Sequence, residues 1–192
     1  MSTPEDYDSI ISMENTLTLT NYWLRTIVIG LDLCPFARIP YERGQIRVVE
    51  CQDSTEEDQV GFFLEELEYL NQTESSEVST TLIAYPNASS DFRAFNDFVG
   101  DLEYMLEEVE LSDVFQLVAF HPEFVFEETD FDHVGNYVNR APVPVLHILR
   151  SEDIARALKN PKDGEIISFN NDRKLHEMDR AKLDELFYFL KK

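Results

Sequence analysis

The apolar positions of the chain fall into blocks whose period alternates between that of a buried helix and that of a strand. Between Met13 and Leu33, the residues Leu19, Trp23, Ile27 and Leu31 recur every four positions, with Leu24 and Val28 beside them. That stripe predicts a largely buried helix, ended by Pro35. Ile46 to Cys51 is rich in β-branched residues and reads as a strand. Directly after it, Ser54-Thr-Glu-Glu57 is a capping box opening a helix whose inner face is Val60, Phe63, Leu64, Leu67 and Leu70. The alternation repeats: Ser79 to Tyr85 predicts a second strand, and Phe92, Phe95, Val99, Leu102 and Leu106 stripe a helix ending near Leu111. Phe115 to Phe120 and Val143 to Leu149 are the third and fourth strands, joined by 22 residues of irregular or short-helical sequence. Ser151 with Glu152 and Asp153 caps a short helix running to Lys159. A final helix from Arg173 onward turns Leu175, Leu183, Leu186, Phe187 and Leu190 inward.

Strands separated by helices imply βαβ crossovers. The expected fold is α/β, a single domain over residues 13–192 with a mainly parallel four-stranded sheet covered by helices, after a flexible tail over residues 1–12. The third connection decides the class. An antiparallel return there gives instead an α+β sandwich with a mixed sheet.

Composition narrows the functions. A chain of 192 residues, 43% apolar, buries roughly 70% of its unfolded surface without needing disulfide or metal staples. With 38 acidic against 16 basic side chains, the formal charge of −22 repels nucleic acid phosphates and acidic lipid headgroups, so neither nucleic acid nor a membrane surface is an expected partner. The N-terminal residues are acidic, with no signal-peptide core behind them. The longest apolar passage, Thr26 to Leu33, already contains Asp32 and is far short of the ~20 residues that span a bilayer. Cys34 and Cys51 have no companions at metal-finger spacing and fit a reducing compartment, so a cytoplasmic location is expected.

The charge is unevenly placed. Residues 54–132 hold 21 acidic side chains and a single basic one, Arg93, whereas 11 of the 16 Lys and Arg lie from Arg140 onward. In the two central helices the acids fall largely between the apolar stripe positions, either as a solvated outer face or as a docking face for a basic protein.

In parallel sheets, ligands gather beyond the carboxyl ends of the strands. Those ends supply Gln52 and Asp53, Pro86 and Asn87, His121 and Pro122, and Arg150 with Ser151. His121 has the widest chemical range of these, as acid, base or ligand near neutral pH. The loop that follows it is too long for an idle connection. Within the loop, Asn136 and Asn139 offer amide donors, and Arg140 suits bidentate capture of a carboxylate or phosphate. The alternative is that the asparagines turn the backbone and Arg140 pairs with an acid. Asp130, Asp132 and His133 are metal-ligand types, but carboxylates are common in surface turns and no metal is assigned to them. His147 alternates with Val145 and Leu149, as a core histidine or as a partner to His121. Cys34, beside Pro35, is a thiolate nucleophile if it faces a helix N-terminus and a small core residue if it does not. A mononuclear metal site built from His121, His147 and either Cys34 or an acidic residue is a further arrangement. Dinucleotide, P-loop, esterase, dithiol and zincin motifs are absent from the sequence.

The blocks Gly30-Leu-Asp-Leu-Cys-Pro-Phe-Ala37, Phe115-Gln-Leu-Val-Ala-Phe-His-Pro122 and Asn136 to Arg150 resemble the bacterial family labelled domain of unknown function 1415. The likeness runs from about residue 13 to 160, and the helix beyond Asn160 is less characteristic. The resemblance implies a cytosolic bacterial protein without an assigned activity. It places recurrent family positions on Cys34, Pro35, His121, Pro122, Asn136, Asn139, Arg140 and His147. Two functions are therefore expected to compete. One is binding of a small anionic metabolite at the strand ends, extended to catalysis if His121 acts as acid or base, Arg140 anchors the anion and Cys34 is the nucleophile. The other is a non-catalytic module docking a basic partner. Proximity separates them, because catalysis requires Cys34 or His147 within reach of His121 and Arg140 around one pocket. No cofactor and no oligomeric state follow from the sequence.

Overall fold

The computed structural model describes residues 15–158, 160 and 162–190. The expected tail over 1–12, the predicted helix start at Met13 and the predicted helix end at Lys159 lie outside the described residues. Asn15 caps the first helix, α1 (Thr16–Tyr22), by accepting from the Thr18 N–H at 3.1 Å. The chain then widens into a π-helical turn over Trp23–Ile29, in which the Gly30 N–H reaches back five residues to the Arg25 carbonyl at 3.1 Å. A Cβ on Gly30 would stand 2.2 Å from the Thr26 carbonyl oxygen, so this exit admits only glycine. The remaining elements are α2 (Arg38–Glu42), β1 (Ile46–Glu50), α3 (Glu56–Gln72), β2 (Thr80–Ala84), α4 (Phe92–Glu108), β3 (Phe115–Phe120), a 3-10 helix (Val134–Val138), β4 (Val145–Arg150), α5 (Ser151–Ala157), α6 (Asp163–His176), α7 (Arg180–Leu186) and a last 3-10 turn (Tyr188–Leu190). The single final helix expected from Arg173 is two helices, with Asp179 capping the second by accepting from the Ala181 N–H.

The sheet corrects the expectation of mainly parallel strands. Its order is β1-β2-β4-β3; β1 and β2 pair in parallel, while β4 pairs antiparallel with both β2 and β3. The two helical crossovers, through α3 and α4, keep β1, β2 and β3 pointing one way. The third connection holds only the 3-10 helix and no crossover helix, so it stays at one end of the strands and β4 returns between β2 and β3. This reversal moves a predicted site. The carboxyl end of β4, Arg150 and Ser151, lies at the opposite end of the strands from His121, beside Phe115, and the first β4 residue, Val145, is the one that pairs with Phe120.

Helices cover both faces. On one, Leu82, Ala84, Val145 and Phe120 pack with Leu19, Trp23, Leu24, Ile27 and Val28, and the C-terminal residues Leu175, Leu183 and Phe187 join them. On the other, Ile83, Tyr85, Leu146, Ile148 and Phe115 meet Phe63 and Leu67 of α3 and Phe95, Val99 and Leu102 of α4. Burial of these apolar groups is the main stabilising term. Polar ties orient the layers. Arg47 of β1 grips Glu66 of α3 through two hydrogen bonds, at 2.7 and 2.9 Å. The Arg150 guanidinium stands over the C-terminal end of α3, its Nη2 within hydrogen-bond reach of the carbonyls of Leu70 and Thr73, both at 2.6 Å, and of Val78 at 3.2 Å. A cation there complements the helix dipole, so Arg150 closes a helix end rather than a ligand site. Among the described residues, no helix is long and apolar enough to cross a membrane.

Candidate functional site

His121 directly follows β3 and is fully buried. The Glu123 N–H donates to its Nδ1 at 3.0 Å, which puts the proton of the neutral ring on Nε2; that atom donates to the Ser89 carbonyl at 3.2 Å. Its ring lies 5.7 Å from those of both Phe92 and Phe95, on the α4 side of the sheet. His121 thus ties the end of β3 to the loop after β2.

His147 occupies the other face. Its Nε2 is 2.6 Å from Thr80 Oγ1, and its ring is 6.3 Å from Phe120, which itself packs on Trp23. Thr80 donates its one hydroxyl proton to the Ile148 carbonyl, so the imidazole must be the donor in the first contact. Burial pushes the His147 pKa down to about 4.

Asn136 and Arg140 hold the long loop together. The Asn136 Oδ1 accepts from the Phe126 N–H and the Thr129 hydroxyl, while its Nδ2 donates to the carbonyls of Asp130 and Phe131. The Arg140 guanidinium, only 5% of the residue being exposed, is stacked between the rings of Phe131 and Tyr137, both at 4.7 Å. It donates to the carbonyls of Phe124 and Phe131 at 3.3 and 2.6 Å. Burial pushes its pKa below the ordinary arginine value, with Tyr137 and then Asp132 acting in the opposite direction. Asn139 contributes its backbone carbonyl to the His121 N–H.

Cys34 packs against the core on the α1 side. Desolvation raises its thiol pKa, Asp32 adds to this, and the backbone N–H groups of Phe36 and Ala37 oppose it. With a protonated thiol at neutral pH, Cys34 should alkylate with iodoacetamide far more slowly than a free thiol in a Cys51→Ser background, accelerating only above the pH at which free cysteine ionises. A fast reaction at pH 7 would contradict this assignment. Cys51 itself is buried, its pKa raised to about 11 by desolvation first.

The expected site residues are therefore each held in separate sets of contacts within the fold. His121 faces α4, His147 and Cys34 belong to the α1 side, and Arg140 points into its own loop. Among the described residues, His121, His147 and Cys34 do not form a group of ligand atoms within 4.8 Å of one another. What the strand ends do form is a groove of 110 Å³ between the N-termini of α3 and α4, lined by Ser54, Gln59, Asn87, Ser89, Phe95 and Phe98.

Sequence reasoning missed a different grouping. His133, Asp172 and His176 offer ligand atoms all within 4.8 Å of one another. Asp130 and Asp132, considered with His133 from the sequence, are not part of it. The spacing of Asp172 and His176, one helical turn apart, was visible in the sequence, but their approach to a loop histidine some 40 residues earlier was not.

No curated protein and no solved structure matches the chain significantly. The family described as "Protein of unknown function (DUF1415)" matches residues 15–185, reaching beyond Asn160 through α6 and most of α7. The match covers nearly all of the fold, loop and core residues just described, and the chain belongs to the DUF1415 family.

Proposed function

We propose that the protein is a binding module that docks a basic protein partner through the outer sides of α3 and α4. The observation that carries this reading is that both helices lie over the same face of the sheet, so their solvent sides adjoin. Glu56, Glu57, Asp58, Glu65 and Glu68 on α3 and Asp97, Asp101, Glu103, Glu107 and Glu108 on α4 are all exposed. Tyr69 and Tyr104 stand exposed among them, 44% and 61%, and supply the aromatic contacts that interfaces favour. The engagement of His121, His147 and Arg140 in intramolecular hydrogen bonds favours this over catalysis.

A variant carrying Glu65→Gln, Glu68→Gln, Asp101→Asn and Glu108→Gln tests it, with polylysine and a folded basic protein as probes. Four exposed charge contacts are worth roughly 1–3 kcal/mol together, so the variant should bind about tenfold more weakly or worse. A control changing Glu127, Glu128, Glu165 and Glu177 to Gln removes the same charge elsewhere. Equal weakening of both variants would mean bulk charge alone acts and would sink the reading.

The second reading, a small anionic metabolite at the strand ends, has the 110 Å³ groove in its favour, because two helix N-termini point into it. Glu56, Asp58 and Asp91 already sit at those termini, however, and meet the same dipoles an anion would use.

A further inference from the structure

We propose that His133, Asp172 and His176 form a binding site for a divalent transition-metal ion, zinc-like in its preference for imidazole. The three come from separate elements brought together by packing. His133 caps the 3-10 helix, accepting the Gly135 N–H at 3.1 Å, and Asp172 and His176 stand one turn apart on α6, which packs on that helix. The two imidazole rings meet edge to face at 5.2 Å. Ligands about 2.1 Å from a common ion lie roughly 3–3.5 Å apart, so atoms within 4.8 Å reach that geometry by about 1 Å of side-chain movement.

Gly135 leaves room for this approach. A Cβ there would stand 2.7 Å from Asp172 Oδ1 and 2.9 Å from His133 Nδ1, so the absence of a side chain is what admits the carboxylate beside the ring. His176 is also oriented by the same turn of helix: its Nδ1 lies 2.9 Å from the Asp172 carbonyl oxygen and 3.4 Å from the Asp172 carboxylate. Two imidazoles and one carboxylate favour zinc, cobalt, nickel or copper over magnesium and calcium, and they leave coordination positions for water or an anionic ligand.

Coordination has a local consequence. The Gly135 N–H donates to His133 Nδ1, and either ring nitrogen used for the metal ends that bond. Through Nδ1 the ion takes the lone pair directly; through Nε2 the ring proton must move to Nδ1.

The test is Co²⁺ and Zn²⁺ titration of the full chain in millimolar Mg²⁺, which saturates the many surface carboxylates. One equivalent of Co²⁺ should bind with a visible absorption band from nitrogen ligation, and Zn²⁺ should displace it. His176→Ala, at an exposed position, should weaken binding roughly tenfold or more, and Asp172→Asn should do likewise. The Gly135 amide resonance should shift on loading. Failure of wild-type protein to take up Co²⁺ or Zn²⁺ in excess Mg²⁺ would overturn the site. So would unchanged affinity in His176→Ala with a native circular dichroism spectrum.

Discussion

Replacing Arg140 by Met should lower the unfolding free energy by about 3 kcal/mol or more, read from urea melts of variant and wild type. Methionine retains much of the side-chain volume but donates nothing, so the carbonyls of Phe124 and Phe131 lose their partner inside the loop. The stacking of the guanidinium between Phe131 and Tyr137 is lost as well. The damage should extend beyond the loop, because the Arg140 carbonyl accepts the Trp23 indole N–H at 2.9 Å and so joins the end of the loop to the buried π-helical turn that follows α1. Arg140→Lys should not rescue, since an ammonium cannot reproduce a flat cation between two rings. An anion anchor behaves differently. If Arg140 held a ligand, millimolar phosphate or citrate would raise the wild-type midpoint and leave the variant unmoved; a structural Arg140 predicts no such rise.

This residue also marks the boundary of what the sequence made legible. Elements with a strong period were readable: the stripe of Leu19, Trp23 and Ile27, the crossover helices on Phe63 and Phe95, and the four strands all appear near their expected places. The direction of β4 was not, because its residues read alike whichever neighbour they pair with; only the make-up of the connection before it decides. The roles of Asn136, Arg140 and His121 were illegible for a related reason. Their residue types suit ligands, yet the long loop has many backbone groups to satisfy, and these polar side chains answer that demand. The pairing of His133 with α6 depends on how the C-terminal helices fold back, which no local pattern encodes.

The charge distribution and the core chemistry are then separate matters. Acidic side chains on α3 and α4 lie outside a face whose interior is apolar, so they can be altered with little effect on packing. The buried polar residues are the sensitive ones, because each is fixed by a specific partner. Exposed-face substitutions should thus change association without moving the unfolding midpoint, whereas changes at Arg140, Arg150 or His147 should do the reverse.

Acidification should destabilise the wild-type protein through His147. The folded pKa is about 4 against 6.5 for the free side chain, so the unfolded chain takes up the proton first and stability falls as pH drops below the unfolded value. Linkage gives a loss of about 2 kcal/mol between pH 7 and pH 5, and about 3 kcal/mol by pH 4, below which the curve flattens. The cause is geometric. Nε2 is engaged with Thr80, whose own proton is committed to Ile148, and protonating the ring adds a charge to a site lined by Phe120 and the strand backbone. His147→Gln keeps an amide N–H able to donate to Thr80 but has nothing to titrate. It should cost stability at pH 7 yet lose less on acidification, so the difference between variant and wild type should shrink or reverse by pH 5. A difference constant across that range would show that His147 does not titrate as its surroundings require, and the acid sensitivity would then belong to the carboxylates.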